Sequence, residues 1–492
     1  MLFNSYIFIL AFLPVTLVVF HLLDAGQCRR ISVAWLTSAS LFFYGWWNPV
    51  YLLLILFSMA FNYLVGTRLS QRRSRMLVIF GIAVNLVLLG YFKYANFFVD
   101  TFNTLANTGF VLETIVLPLA ISFFTFQQIT YLIDAYRGLT RQYDFLHYAL
   151  FVSFFPQLIA GPIVHHSEMM PQFMDTEERR FSHDKFAIGI SAFVIGLAKK
   201  VLIADEAARY ATPVFSAAQA GSPLSFLEAW GGCLAYTFQL YFDFSGYSDM
   251  AIGLALMFGI TLPLNFFSPY KAQSIIEFWR RWHMTLSRFL RECLYIPLGG
   301  NRKGPSRRYI NLMITMLLGG LWHGAGWTFV IWGGLHGIYL AINNLWHALK
   351  QRLGIDGRRS RLWTKMLSCG ITFVAVSVAW VVFRAESSGA ALSMLGSMSG
   401  MNGLSGGPLF KGIEEIRILV VSALIVWCLP NTYQLLERYR PALETYPDVA
   451  DSAYTGRIQW SPSKAWAVFV GVMGLAALLS CTRASEFLYF QF

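Results

Sequence analysis

The chain has 492 residues, of which 56% are hydrophobic and only 13% are charged. Since a soluble domain carries roughly 25% charged residues, this composition excludes a water-soluble protein and leaves no separate soluble domain of useful size. The net charge of +12 does not indicate nucleic-acid binding, because Lys and Arg collect in the cytoplasmic loops of membrane proteins.

Long apolar runs recur from one end of the chain to the other, and most approach the length that spans a hydrocarbon core. They predict an all-α, polytopic membrane protein that forms a single domain over residues 1–492. At ~20 residues per crossing, we expect roughly 11 transmembrane helices plus one or two re-entrant segments. The first run, residues 7–23, has no basic leader and no small-residue cleavage site, so we interpret it as a retained helix.

The basic residues predict the orientation of these helices. One crossing precedes the first basic stretch, so the N-terminus is expected outside. The loop 93–112 has no excess of Lys and Arg and is expected on the outer side as well. Residues 386–415 and 431–463 are mixed in charge and are predicted to be connecting loops. The stretches with an excess of Lys and Arg, expected to face the cytoplasm, are 29–30, 68–75, 271–308 and 350–365.

The segment 117–138 is the first to carry polar groups within an apolar run. Pro118 is expected to kink or break its helix, because proline removes a backbone donor. Gln127, Gln128 and Asp134 lie toward the far end of the segment. Interhelical hydrogen bonding explains them as well as a functional role does.

The segment 154–173 contains three prolines, a glycine and two adjacent histidines, which break any helical pattern. It is predicted to be re-entrant or to line a cavity. A metal site at His165 and His166 is disfavoured, because adjacent residues point apart on a helix and no clear third ligand is near.

Two acidic residues interrupt the apolar segment 236–260. Asp243 and Asp249 bracket a Ser-Gly-Tyr sequence. They could pair with basic residues of the 280s, orient a histidine or bind substrate. A structural role in a broken helix is an equally good explanation.

Residues 278–294 are predicted to form one strongly amphipathic helix along the membrane interface. His283 lies on its apolar face, where a lone histidine is usually structural. The basic face could meet anionic lipid head groups or hold the phosphates of a cytoplasmic donor. The apolar stripe comprises Trp279, Trp282, His283, Leu286, Leu290 and Leu294, and the opposite face Glu277, Arg280, Arg281, Arg288, Arg291 and Glu292.

His323 stands between two apolar runs, 309–322 and 327–347, near the tip of a predicted hairpin. Glycines around it allow other backbones to approach closely, and Trp322 and Trp327 could form a dry wall. Burial disfavours the imidazolium, so a neutral ring could accept a proton from a hydroxyl. The alternative is a structural histidine that caps the hairpin.

The sequences WRRWHMTLSRFLRECLYIPLGGNRKG and LLGGLWHGAGWTFVIWGGLHG resemble those of the membrane-bound O-acyltransferase family, in its bacterial alginate O-acetyltransferase-like branch. The start LFNSYIFILAFLP and the end FLYFQF resemble that branch too. The resemblance implies a ring of tilted helices around a central funnel, with the catalytic core at about residues 117–347. The family's hallmark histidine and upstream polar residue correspond to His323 and His283.

The resemblance also implies a reaction in the bacterial inner membrane. An acetyl group would move from acetyl-CoA, with no permanently bound cofactor and no metal, to a secreted polysaccharide or to a periplasmic esterase-like relay protein. His323 would act as general base, while His283 would position or polarise the donor carbonyl or orient its partner. Alginate, cellulose and peptidoglycan all remain open as acceptors. The expected substrate-binding residues are Trp282, Trp322, Trp327, Arg280, Arg281, Arg291 and Asp243.

Two other classes share the many helices. A polysaccharide or lipid transporter should show paired broken helices in corresponding halves, and the sequence has no such internal symmetry. A membrane glycosyltransferase should carry an acidic metal site and a larger soluble portion, and the sequence YSDM is not a convincing DxD motif.

Overall fold

The computed structural model describes residues 1–26, 28–140, 144–175, 180–354, 361–404, 406–443 and 458–481. Regular structure in these ranges is helical, as predicted, and the only β feature among them is a single bridge between Pro263 and Leu443. The C-terminal FLYFQF sequence lies outside the described residues.

The first half of the chain contains helices of 4 to 32 residues. They are α1 Leu13–Ala25, α2 Arg29–Gly45, α3 Val50–Gln71, α4 Arg75–Leu89, α5 Ala95–Ala106, α6 Ile121–Arg137, α7 Phe145–Ser153, α8 Phe155–Leu158, α9 His166–Met174, α10 His183–Ala198, α11 Asp205–Gln219 and α12 Phe226–Met257. Turns of π-helix, Phe8–Phe12, Gly90–Tyr94 and Lys199–Ala204, extend several of them.

The second half carries the helices on which the candidate site depends. They are α13 Ile275–Arg281, α14 Met284–Leu290, α15 Pro305–His323, α16 Trp327–Arg352, α17 Leu362–Arg384, α18 Ser388–Met398, α19 Ile413–Cys428, α20 Thr432–Leu435 and α21 Lys464–Ser480.

Apolar side chains cover the outward surface of these helices, as expected of a multi-pass membrane protein. Leu53 and Val87, for example, are 72% and 69% exposed. Within the described residues, five helical stretches are long and apolar enough to cross a membrane alone, so the predicted number of about 11 spans is not established. The five are Phe8–Ala25, Val50–Gln71, Arg75–Ala106, His183–Gln219 and Leu362–Arg384.

The long helix α12 forms the centre of the molecule. It is continuous over 32 residues, which excludes the alternative of a broken helix at its Ser-Gly-Tyr sequence. Glycines allow α10 to cross it closely: a Cβ on Gly246 would lie 2.7 Å from the carbonyl oxygen of Gly196. Small residues at such crossings bring helix backbones into contact inside membranes.

We call α7, α9 and the residues between them the re-entrant unit, after the prediction made for the segment 154–173, and their re-entry into the membrane stays a prediction. Each of the two helices has nine residues, too few to cross a hydrocarbon core, and they meet through Phe151 and His166, whose rings lie 5.8 Å apart. The irregular residues 159–164 between them are buried in protein, where non-helical backbone is tolerated.

Three local predictions need correction or refinement. Pro118 precedes α6 and does not kink it, because residues 107–120 are not helical. The segment 386–415 is not simply a loop, since it contains α18. In the segment 431–463, α20 is the longest described helix, and residues 444–457 lie outside the described part.

Candidate active site

Helices α15 and α16 form an antiparallel hairpin, as the sequence predicts, and His323 is the last residue of α15. Three residues, 324–326, make the tip. Glycines on the facing sides let the two backbones touch: a Cβ on Gly320 would lie 3.1 Å from the Cα of Gly333. We call α15, α16 and their connection the His323 hairpin.

Aromatic rings enclose the imidazole of His323. The ring centroids of Trp322, Trp332 and Phe383 lie 4.9, 5.2 and 5.3 Å away, each close to edge-on. Trp327 does not form the expected wall, because it is 56% exposed and packs against Phe97 instead. Trp332 and Phe383 take its place.

His283 lies at a sharp break in the chain. The single helix predicted over 278–294 is two helices, α13 and α14, with His283 between them in the left-handed region at φ 43°. Backbone hydrogen bonds hold the break: Phe267 N–H donates to Arg281 O, and Met284 N–H to Asn265 O, both at 3.0 Å. As a result, His283 is fully buried.

The hydrogen bonds around Asn265 determine which nitrogen of His283 carries its proton. The backbone N–H of Thr285 donates to the Asn265 side chain at 3.4 Å, so the atom it meets is Oδ1. His283 Nδ1 lies 3.2 Å from the same oxygen and must therefore donate to it. In the neutral ring, Nε2 is left with a bare lone pair, and it has no hydrogen-bond partner among the described residues.

His283 and His323 lie close enough to act together. Their ring centroids are 6.3 Å apart at an interplanar angle of 63°. One ordered water can bridge two imidazoles at such a distance, or a small rotation of the rings can bring them into direct contact.

His336, which is fully buried like His283, is the third histidine of the cluster. Trp279 Nε1–H donates to His336 Nδ1 at 3.2 Å, which leaves the proton of the neutral ring on Nε2. His336 packs 4.8 Å from Trp332, the ring that contacts His323. The i, i+4 spacing of Trp332 and His336 on one helix is the sequence signal that indicates this contact.

Lys93 also contacts this cluster, and the sequence did not predict it as a site residue. Its Nζ donates to the main-chain carbonyls of Trp322 and His323, at 2.5 and 3.2 Å. A single lysine in an apolar stretch is itself a signal of function in a membrane protein. The assignment of residues 93–112 to an outer loop concealed it.

Asp243 does not belong to this cluster. It forms an ion pair with Lys200 at 2.6 Å, and Lys200 also pairs with Asp205 at 2.7 Å. Asp249 pairs with Lys199 at 2.6 Å and accepts from Thr432 Oγ1. Both aspartates pair with lysines 199 and 200, so the alternative of pairing with basic residues of the 280s is not the one observed. A role for Asp243 in substrate binding stays a prediction.

The other predicted substrate-binding residues occupy different environments. Trp282 is buried in an aromatic core beside Phe266 and Trp380, each 5.0 Å away. Arg281 forms an ion pair with Glu277 at 2.8 Å. Arg280 and Arg291 are exposed, together with much of the basic loop 301–307.

The remaining charged groups of this region fix its geometry. Arg288 forms a two-pronged ion pair with Glu168, which ties α14 to the re-entrant unit. His165 faces Glu292 at 3.8 Å. His166 packs against Tyr131 and Phe151. The two histidines thus meet different neighbours, and in the described residues no group of three His, Cys, Asp or Glu side chains could hold a metal.

A cavity of about 370 Å3 lies beside the cluster, against two residues that contact Trp322. Lys93 and Phe123 line it, and both contact the ring of Trp322, at 5.7 Å in each case. Trp47, the non-helical residues 116–120 and the first two residues of α6 form the rest of its wall. On the orientation predicted from the basic loops, this cavity lies on the outer side.

The sequence model of the membrane-bound O-acyltransferase family, MBOAT, matches residues 3–379 of this chain. The helical architecture and the histidine cluster agree with that match. The chain belongs to this family and is a multi-pass membrane O-acyltransferase.

Several bacterial proteins are similar to this chain over most of their length. The chain is 44% identical to a peptidoglycan O-acetyltransferase of Helicobacter pylori, over 89% of this chain and 91% of that protein. It is 39% identical to a probable alginate O-acetylase AlgI of Pseudomonas putida over the full length of both. With the protein of the same name from Pseudomonas aeruginosa it shares 46% identity over 78% of this chain and 72% of the relative.

Proposed function

We propose that this protein moves an acetyl group from a cytoplasmic thioester donor, acetyl-CoA, across the bacterial inner membrane for the O-acetylation of a secreted polysaccharide such as alginate. Transfer occurs directly or through a periplasmic relay protein. The observation that carries the proposal is the enclosed pair of His323 and His283, in which His283 Nε2 offers a lone pair without a partner among the described residues.

His323 is the general base in this scheme. It takes the proton of the acceptor hydroxyl while the hydroxyl oxygen attacks the thioester carbonyl carbon. The tetrahedral intermediate then collapses, the C–S bond breaks, and the proton passes from His323 to the sulfur, which leaves as free CoA thiol. General-base assistance contributes about 10²–10⁴ to the rate.

His283 orients His323. The expectation that His283 polarises the donor carbonyl requires an N–H on Nε2, whereas the Asn265 hydrogen bond supports a lone pair there. That lone pair accepts the N–H of His323, directly or through water, and so exposes the other nitrogen of His323 as the base.

The indoles on either side of His323 stabilise the intermediate. The Nε1–H groups of Trp322 and Trp332 are buried and have no hydrogen-bond partner among the described residues. Donors placed in a water-excluded site stabilise the negative oxygen of a tetrahedral intermediate more than they stabilise the ground state.

Donor and acceptor approach from opposite sides. The exposed residues Arg280, Arg291 and the basic loop 301–307 supply charge for the phosphates of CoA or for anionic lipid on the cytoplasmic side. The cavity lined by Lys93 and Phe123 admits the hydroxyl on the outer side.

Peptidoglycan is the second candidate acceptor, because a relative with that named activity is 44% identical over most of both chains. Cellulose stays a further alternative. Deletion of the gene, followed by release of acetate with mild base from the secreted polysaccharide and separately from purified cell wall, distinguishes them. Loss of acetate from secreted polymer supports the proposal, and loss only from cell wall assigns peptidoglycan.

A biochemical test separates transfer from transport. Purified protein in lipid vesicles is given acetyl-CoA carrying a labelled acetyl group and periplasmic extract as acceptor. We expect release of CoA and labelling of the acceptor. A transporter would produce neither, and that result would overturn the proposal.

A further inference from the structure

The C-terminal end of α15 is held by side chains from a distant helix. A helix leaves its last four carbonyls without intrahelical partners. Here Tyr94 OH donates to Leu321 O at 2.9 Å, and Lys93 Nζ donates to Trp322 O and His323 O. Three successive carbonyls that end on His323 are therefore capped by two adjacent residues more than 200 positions earlier.

The local backbone explains how two adjacent residues reach the same target. Lys93 and Tyr94 end the turn of π-helix Gly90–Tyr94 that follows α4. This widened turn changes the angle between successive side chains relative to an α-helix, and such turns occur frequently at functional sites.

The end of α15 and the neighbouring indole both attract a cation at this position. The carbonyl end of a helix carries partial negative charge, which attracts an ammonium group. Lys93 Nζ also lies 5.7 Å from the ring centroid of Trp322, within the range of a cation–π contact.

From these contacts we propose that Lys93 is a positioning residue for the acyl-transfer reaction: it fixes the main chain of His323 and thereby sets the place of the base. The inference rests on the proposed function, in which His323 is that base. An error of about 1 Å in the position of a catalytic group can reduce the rate about 100-fold. A hydrogen bond that fixes the main chain of His323 therefore has a large effect on the rate.

Lys93 also lies where an acceptor would pass. An ammonium group has three donors, and two of them are used by the carbonyls of Trp322 and His323. Because Lys93 lines the 370 Å3 cavity, an incoming hydroxyl meets the group that holds the base.

The test compares Lys93→Met with Lys93→Arg and Tyr94→Phe in the full-length protein in lipid vesicles. We expect Lys93→Met to lower kcat about 100-fold, with the KM for acetyl-CoA and the melting temperature unchanged. Lys93→Arg, which keeps the charge and the donors, restores most of the activity. Tyr94→Phe, which loses one neutral hydrogen bond farther from His323, has a smaller effect.

Hydrogen exchange measured by mass spectrometry gives a readout that needs no activity. Amides of residues 321–327 should exchange faster in Lys93→Met than in the wild type. Full activity of Lys93→Met, or a loss that follows a lowered melting temperature and is not rescued by arginine, would overturn the inference. If the wild type releases no CoA, the proposed function fails, and hydrogen exchange alone tests whether Lys93 fixes the main chain of His323. Unchanged exchange rates in Lys93→Met would then refute this inference, and faster rates would support it.

Discussion

Asn265 sets the protonation pattern of His283 from 18 residues away. The Asn265 oxygen accepts from His283 Nδ1, at 3.2 Å, and from the backbone N–H and hydroxyl of Thr285, at 3.4 and 3.0 Å. The Thr285 hydroxyl in turn accepts from Ile163 N–H at 3.0 Å, so its own proton is available to Asn265. This chain of donors connects the re-entrant unit to the histidine pair.

Replacement of Asn265 by Ala should therefore impair catalysis through His283. The substitution leaves the backbone N–H and the hydroxyl of Thr285 without their acceptor, at about 1–3 kcal/mol each, and frees Nδ1 of His283 to lose its proton. We expect lower stability and a kcat reduced more than the KM for the donor. Asn265→Asp, which keeps the acceptor oxygen, is the matched control and should retain more activity. Equal activity of the Ala variant and the wild type would show that the tautomer is unimportant.

His283 itself should be less critical than His323. Loss of one hydrogen bond to a group that becomes charged corresponds to about 1.5–3 kcal/mol, or about 10- to 150-fold in rate. We expect His283→Ala to reduce kcat within this range while the protein still accumulates in the membrane. Complete loss of activity, equal to that of His323→Ala, would indicate that His283 takes part in the proton transfer directly.

Trp332 offers a test of the proposed oxyanion donors. Trp332→Phe retains an aromatic ring against His323 but removes the Nε1–H. Removal of one such donor typically reduces kcat about 10²–10³-fold. Trp380→Phe is the control, because Trp380 stacks on Trp332 and its indole already donates to Tyr270 OH, at 3.2 Å. Similar kinetics for the two variants would remove Trp332 from the mechanism.

The ion pair of Asp243 and Lys200 should be structural. Removal of one partner from a buried ion pair costs about 3–5 kcal/mol when the remaining charge has no other partner. Lys200 keeps its pair with Asp205, so the loss of stability should be smaller than this. We expect Asp243→Ala to lower the melting temperature in detergent, with the KM for acetyl-CoA unchanged in the molecules that remain folded. A raised KM at an unaltered melting temperature would instead return Asp243 to the substrate site.

The sequence predicted those parts of the site that depend on local patterns. The glycines around His323 and the two flanking apolar runs are sufficient to indicate a hairpin with the histidine at its tip. The prolines of the segment 154–173 likewise indicate broken helical structure, which the irregular residues 159–164 show. Family membership followed from the motifs around His283 and His323, and the family model confirms it.

The missed features depend on contacts between residues far apart in the chain. Periodicity makes 278–294 one helix, whereas its break at His283 is held by Asn265 and Phe267. Asp243 pairs with Lys200, whose side chain belongs to a different helix. Lys93 and Phe383 reach the His323 hairpin from outside residues 117–347, so the surroundings of the site extend beyond the core predicted from the motifs.

Acetyl transfer by His323→Ala tests the central claim most directly. The variant and the exposed-surface control His347→Ala are produced in cells that lack the native gene, and membrane levels are compared before acetate is measured in the polymer. The account predicts that His323→Ala abolishes acetylation at normal membrane levels, while His347→Ala acetylates as the wild type does. Normal acetylation by His323→Ala would contradict it.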